Sequence, residues 1–265
     1  MPTVAAPQIT PPYGFQEVVA LAKTHRVLLP KGPTLPVVFR TMNPVPVSYT
    51  EFPIASRDYP LVFISADEGK TFAPMLVLGL AGQQNLFVTD GDRWDAGAYV
   101  PAYVRRYPFC MTRVTVDGKE QSERIACVEK RAVNTKGEAL YDNKGVPLPV
   151  WDHLRKLLFE FEADLGRTED LCRKLHELHL LETFTAQIAP QNESPIALTG
   201  MYRISEEKLQ ALPAGTLQEL ARNGMLSRVY THLLSLDNFQ RLLDRRAKLR
   251  AQEKPARKVD PKKLN

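Results

Sequence analysis

Long apolar runs are missing from this chain. Residues 61–64 and the Gly-containing stretch 74–82 are among the longest of its 265 residues. A helical membrane span needs about 20 consecutive apolar residues, so none is expected. The first 25 residues hold no basic segment leading into an apolar block, so no secretory leader is expected and the cytoplasm is the expected location. Cysteine is scarce. Cys110, Cys127 and Cys172 are odd in number and form no C-x-x-C pair, which argues against a disulfide scaffold or zinc ribbon and fits a reducing compartment. The glycine-rich phosphate and dinucleotide cradles do not occur, nor does the G-x-S-x-G elbow. None of the five histidines is followed two residues later by Asp or Glu, which removes the usual start of a two-His, one-carboxylate iron site. No catalytic residue, metal or cofactor is assigned from motifs.

What is present is ordinary for a globular protein: 44% hydrophobic and 25% charged residues, enough to bury a sizeable core. The net charge of +5 is unevenly spread. From Arg241 onward there are ten basic and three acidic residues, which leaves 25 basic and 27 acidic before it, a body of −2. A basic run of this kind suits nucleic acid or an acidic partner. The tail carries no aromatic residue after Phe239 to stack on a base, so a solvated helix end is preferred.

Eleven of the 21 prolines lie in the first 60 residues, and 1–34 reads as a Pro-rich, partly ordered lead-in. Strands are expected at 37–40, 61–65, 75–80, 85–89, 99–109, 113–116 and 125–129 from β-branched and aromatic content. Past 149 the period changes. Val150, Leu154, Leu157, Leu158, Phe161 and Leu165, then Leu171, Leu175 and Leu178, predict one long helix or two divided at Gly166. A short helix is expected after Ser205, another capped by Thr216 and Glu219 and stopped at Gly224, and a last one from Leu226 to Leu243. The expectation is an α+β fold: a single domain over 35–248, β-rich in 35–148 and helical in 149–248, with a disordered basic tail over 249–265.

Three constellations carry candidate chemistry. Cys172, His176 and His179 share a helical stripe, but no fourth zinc ligand is evident, and a helix flank is the preferred account. Asp90, Asp92 and Asp95 lack the later Glu of a calcium loop and are better read as a β-turn. The third is Trp94 followed by Tyr99-Val100-Pro101-Ala102-Tyr103-Val104-Arg105-Arg106-Tyr107-Pro108-Phe109. As an edge strand this places Tyr99, Tyr103, Arg105, Tyr107 and Phe109 on one face. A guanidinium flanked by rings suits a carboxylate or phosphate. The competing and preferred account is that Arg105 pairs within the chain and the tyrosines are core. The candidate ligand-binding residues are thus Trp94, Tyr99, Tyr103, Arg105, Arg106 and Tyr107.

That aromatic–arginine string, together with Glu51-Phe52-Pro53, Tyr59-Pro60-Leu61-Val62-Phe63, Gly79-Leu80, Asn85-Leu86-Phe87-Val88 and Trp94, resembles the bacterial SapC family. So do Leu198-Thr199-Gly200 and His232-Leu233-Leu234-Ser235-Leu236-Asp237-Asn238 with Arg241-Leu242, so that the resemblance runs from about Thr41 to Asp244. It implies association with a surface-layer gene cluster and supplies no established catalytic residue or cofactor. Three functions follow. The first is a non-enzymatic factor binding a protein, peptide or small anion near residues 99–109. The second, from the family name alone, is a surface-layer structural or export component. The third is an enzyme of unrecognised type using an Arg/Tyr anion site, with Asp95 or His232 as acid or base.

Overall fold

The computed structural model describes residues 8–253, apart from 31, 33, 90, 117, 118 and 190–193. Its strands are β1 (Gln8–Ile9), β2 (Val18–Ala20), β3 (Arg26–Val27), β4 (Val45–Pro46), β5 (Leu61–Ile64), β6 (Ala73–Leu76), β7 (Val88–Thr89), β8 (Arg93–Trp94), β9 (Phe109–Val116), β10 (Lys119–Glu129), β11 (Glu138–Ala139), β12 (Leu181–Ile188) and β13 (Ile196–Ile204). Its helices are α1 (Val37–Arg40), α2 (Phe52–Ala55), α3 (Ala102–Arg105), α4 (Pro149–Glu177), α5 (Glu206–Gln210), α6 (Ala214–Arg222), α7 (Met225–Ser235) and α8 (Asn238–Glu253). Two antiparallel sheets organise them, one in the order β1-β9-β10-β2 and the other β12-β13-β5-β6-β4. Sheets lie mainly toward the N-terminus and helices toward the C-terminus, so the fold is α+β.

Helix α4 explains how the two sheets share a core. Pro149 occupies the first turn, where its missing N–H loses nothing, and the helix then runs 29 residues, about 43 Å. Trp151, Leu158, Phe161, Leu171, Cys172 and Leu175 are buried along one stripe. Gly166 faces open space on the other side, and the helix passes through it unbroken. Phe161, Leu171 and Leu175 join the main core with residues of both sheets, whereas Trp151 and Leu158 close a smaller cluster with Val27, Phe109, Val128 and Leu140.

Several expectations require correction. The string 99–109 is not a strand. Pro101 adopts φ −57° and ψ 145°, and the chain then turns into α3 before entering β9 at Phe109. Proline pre-sets the entry, and the first free helical N–H, that of Ala102, finds a distant acceptor in Glu51. Residues 37–40 likewise form a helical turn after Pro36, anchored by buried Phe39. Residues 8–30 are less a lead-in than a part of the fold: β1 and β2 flank the β9–β10 hairpin, and Phe15, Val18 and Val27 are buried. The helical half contributes the long β12–β13 hairpin, whose Tyr202 pairs with Phe63 of β5. Thr216 lies inside α6, which starts after Pro213, and Gly224 at φ +79° does end that helix. The expected last helix is two. Beyond 253, the basic tail lies outside the described residues.

The break between α7 and α8 is chemically specific. Buried Ser235 accepts the Leu61 N–H at 3.0 Å and donates to the His232 carbonyl at 2.6 Å. Asn238 donates to the carbonyls of Ser56 at 2.7 Å and Tyr59 at 3.0 Å. His232 Nε2 accepts the Ile204 N–H at 3.1 Å. The polar residues of the 232–238 segment therefore satisfy backbone groups in the segment leading into β5, at the first residue of β5 and at the end of β13.

Candidate functional site

The six candidate residues do not form one face. They divide among four environments. Trp94 is buried 6.3 Å from Phe87 in a stacked arrangement and donates through Nε1 to the Tyr59 hydroxyl at 3.1 Å. The Tyr59 hydroxyl in turn donates to the Tyr99 carbonyl. Tyr107 is buried between Phe15 and Phe39, with ring centroids 5.6 and 5.4 Å away, and its hydroxyl accepts from Arg131 Nε at 3.3 Å.

Neighbouring arginines then part company. Arg106 is 3% exposed, its guanidinium 4.2 Å from the Tyr103 ring centroid, 4.7 Å from Phe161 and 5.7 Å from Phe15. Its Nε is buried without a hydrogen-bond partner, so ring faces hold the charge there. Tyr103, itself 4% exposed, donates to the Tyr13 carbonyl at 2.5 Å, which closes this box. Burial raises the phenol pKa of Tyr103, and the charge of Arg106 opposes that shift. A turn of α3 directs Arg105 outward instead. It is exposed, donates from Nε to the Val100 carbonyl at 3.0 Å and from Nη2 to the Tyr99 hydroxyl at 3.0 Å.

Glu51 is the residue that sequence reasoning missed. It is 5% exposed and accepts four hydrogen bonds: from Ser48 N at 3.0 Å, Ser48 Oγ at 2.8 Å, Tyr99 Oη at 2.9 Å and Ala102 N at 2.7 Å. The first belongs to a capping box over the 3-10 turn Tyr49–Glu51. One carboxylate thus caps its own turn and the start of α3, and orients the phenol that holds Arg105. Burial, and then the Glu51 charge, push the Tyr99 hydroxyl up to about 12, so it stays a donor. Ser48-x-x-Glu51 was the legible signal for the first cap; nothing local announced the second. Around this node lies a depression of about 180 Å³ whose lining includes Ile54, Tyr99, Arg105, Leu157, Glu160 and Asp164. Asp164 comes from α4, where it accepts Thr50 N at 2.7 Å and Thr50 Oγ1 at 2.8 Å.

The other candidate groups are placed as follows. Burial pushes the Cys110 and Cys172 thiols up to about 12 and Cys127 to about 11, which keeps them from being thiolates near neutrality. His176 is exposed beside Phe72, and His179 lies beyond the end of α4 with φ +54°, so the Cys172–His176–His179 stripe does not form. Among the described residues no group of three or more His, Cys, Asp or Glu is placed to hold a metal ion. Gly91 and Asp92 lie in the turn between β7 and β8, with Asp92 paired to Arg40 at 2.6 Å; Asp90 lies outside the described residues. Asp95 pairs with Arg245 at 2.5 Å and accepts Gly97 N, which lowers its carboxyl pKa.

His232 is fully buried, and desolvation, with Arg203 adding in the same direction, lowers its pKa to about 3. The folded state therefore holds it neutral while the unfolded chain takes up a proton near pH 6.5. Between those values the unfolded state binds more protons, so stability falls on acidification. The loss traceable to His232 is about 2 kcal/mol from pH 7.5 to pH 5. Urea unfolding at the two pH values, with wild type compared to His232→Gln, isolates it: the variant should lose about 2 kcal/mol less on acidification. Equal losses would refute the assignment.

Antiparallel sheets held by one long helix, with a carboxylate-centred turn presenting a single arginine, define an α+β scaffold. The chain belongs to the SapC family, whose model matches residues 23–242, most of its length. No curated protein and no solved structure gives a match. Among the described residues no helix is long and apolar enough to cross a membrane.

Proposed function

We propose that this protein is a non-enzymatic interaction factor whose contact surface is the depression at Arg105, taking a protein or peptide partner. The supporting observation is the state of Arg105. Its guanidinium is exposed yet already oriented by Val100 and by the Glu51-bound phenol of Tyr99. Part of its ordering entropy is thus spent before a partner arrives, which favours a binding hot spot. Ile54, 41% exposed, supplies apolar surface in the same depression.

The test is a pull-down from native lysate with wild type and Arg105→Glu, after circular dichroism has shown that the variant is folded. Loss of specific partners in the variant supports the surface; identical partner sets remove it. Arg106 is unsuited to this experiment because its side chain is part of the core.

A further inference from the structure

A second concavity, of about 480 Å³, lies between the segment after α2, the β7–β8 hairpin and α8. That volume falls within the range of small-molecule sites. Its wall on α8 carries Arg241, Asp244 and Lys248, spaced three and four residues apart and so on one helix face. Asp58 faces them from the other side. At the base, Arg245 pairs with Asp95 at 2.5 Å and lies 4.1 Å from the Phe87 ring centroid. That pair is partly buried and self-neutralised.

The outer charges differ from the base. The Arg241 guanidinium donates to the Arg57 carbonyl, a neutral acceptor. The Asp58 carboxylate accepts the Tyr99 N–H at 2.8 Å, and Asp244 accepts from the Gln240 amide at 3.1 Å. Among the described residues none of Asp58, Arg241, Asp244 and Lys248 forms an ion pair within 4.0 Å. Two cations and two carboxylates thus line one concavity without pairing. Leu249 adds apolar surface to the same lining, while Phe87 is 2% exposed beneath Arg245.

We infer that this concavity binds a small zwitterion of the short-peptide class, its carboxylate held by Arg241 and Lys248 and its ammonium by Asp58 and Asp244. A plain anion would meet two carboxylates, and a plain cation two basic groups. A ligand carrying both charges satisfies the two bases and the two carboxylates together and sets an apolar side chain against Leu249. The site is separate from the Arg105 depression, so the two readings stand or fall independently.

The test is isothermal titration of the full chain with the dipeptide leucyl-leucine at millimolar concentration, beside its N-acetyl and C-amide derivatives. Saturable binding of the free dipeptide is expected, weakened about tenfold or more by blocking either end, as loss of one well-placed ionic contact implies. Lys248→Ala and Asp58→Asn should weaken it similarly. Asparagine keeps an acceptor for Tyr99 N, so the latter variant separates charge from fold, with the melting temperature read alongside. Absence of saturable heat with the free dipeptide would overturn the proposal. So would equal binding of either blocked form, or unchanged affinity in both folded variants.

Discussion

Replacing Glu51 by Ala is expected to destabilise the protein by about 4 kcal/mol, the largest effect of any single change considered. The substitution leaves the Ser48 and Ala102 N–H groups without their acceptor and frees the Tyr99 hydroxyl inside a buried node. Glu51→Gln sharpens the reading because its shape is conserved. Each carboxylate oxygen faces one backbone N–H and one hydroxyl, so whichever way the amide is turned its NH₂ meets a backbone N–H that cannot accept. A loss of about 2–3 kcal/mol is expected for Gln, measured by urea denaturation. A Gln variant as stable as wild type would mean that the four hydrogen bonds do not hold the turn.

Arg106→Ala carries the second-largest expected effect, a loss of about 3 kcal/mol. It empties a space bounded by Tyr103, Phe161 and Phe15 and removes the cation those ring faces stabilise. Because Phe161 belongs to α4 and Phe15 to the segment before β2, the loss should also loosen the contact between the N-terminal segment and the long helix. Near-ultraviolet circular dichroism reports on the tyrosine environment, and its signal should weaken before far-ultraviolet helicity does. Arg106→Met keeps most of the stem packing and should fall between wild type and Ala. If Met is as destabilising as Ala, the hydrocarbon stem contributes little and the charge dominates.

How much of this was legible depended on whether the deciding contact was local. The three- and four-residue spacing from Trp151 to Leu175 announced α4, because a helix face is set by its own sequence. The strand content of 113–116 and 125–129 held within β9 and β10 for the same kind of reason. The string 99–109 misled because Tyr and Val favour strands, while the acceptor for the Ala102 N–H sits 51 positions away at Glu51. Pro101 directly before Ala102 was the available hint of a helical start. The β12–β13 hairpin went unread although Thr183, Phe184 and Ile188 carry strand-forming side chains, because helices flank it on both sides.

The candidate site was half legible. Tyr99 and Arg105 do stand together, and the expectation that rings would surround a guanidinium holds, but for Arg106 in the core. Which of two adjacent arginines points inward is fixed by the turn of α3, and a strand reading had the wrong one facing the rings. The aromatic–arginine segment thus packs Arg106 into the core and leaves Arg105 exposed.

Urea unfolding of Arg105→Ala beside wild type tests that division most directly. An exposed side chain that only presents itself to a partner should cost less than about 0.5 kcal/mol when truncated. A loss of about 2 kcal/mol or more would place Arg105 among the residues that hold the fold, and the binding surface proposed around it would have to be abandoned.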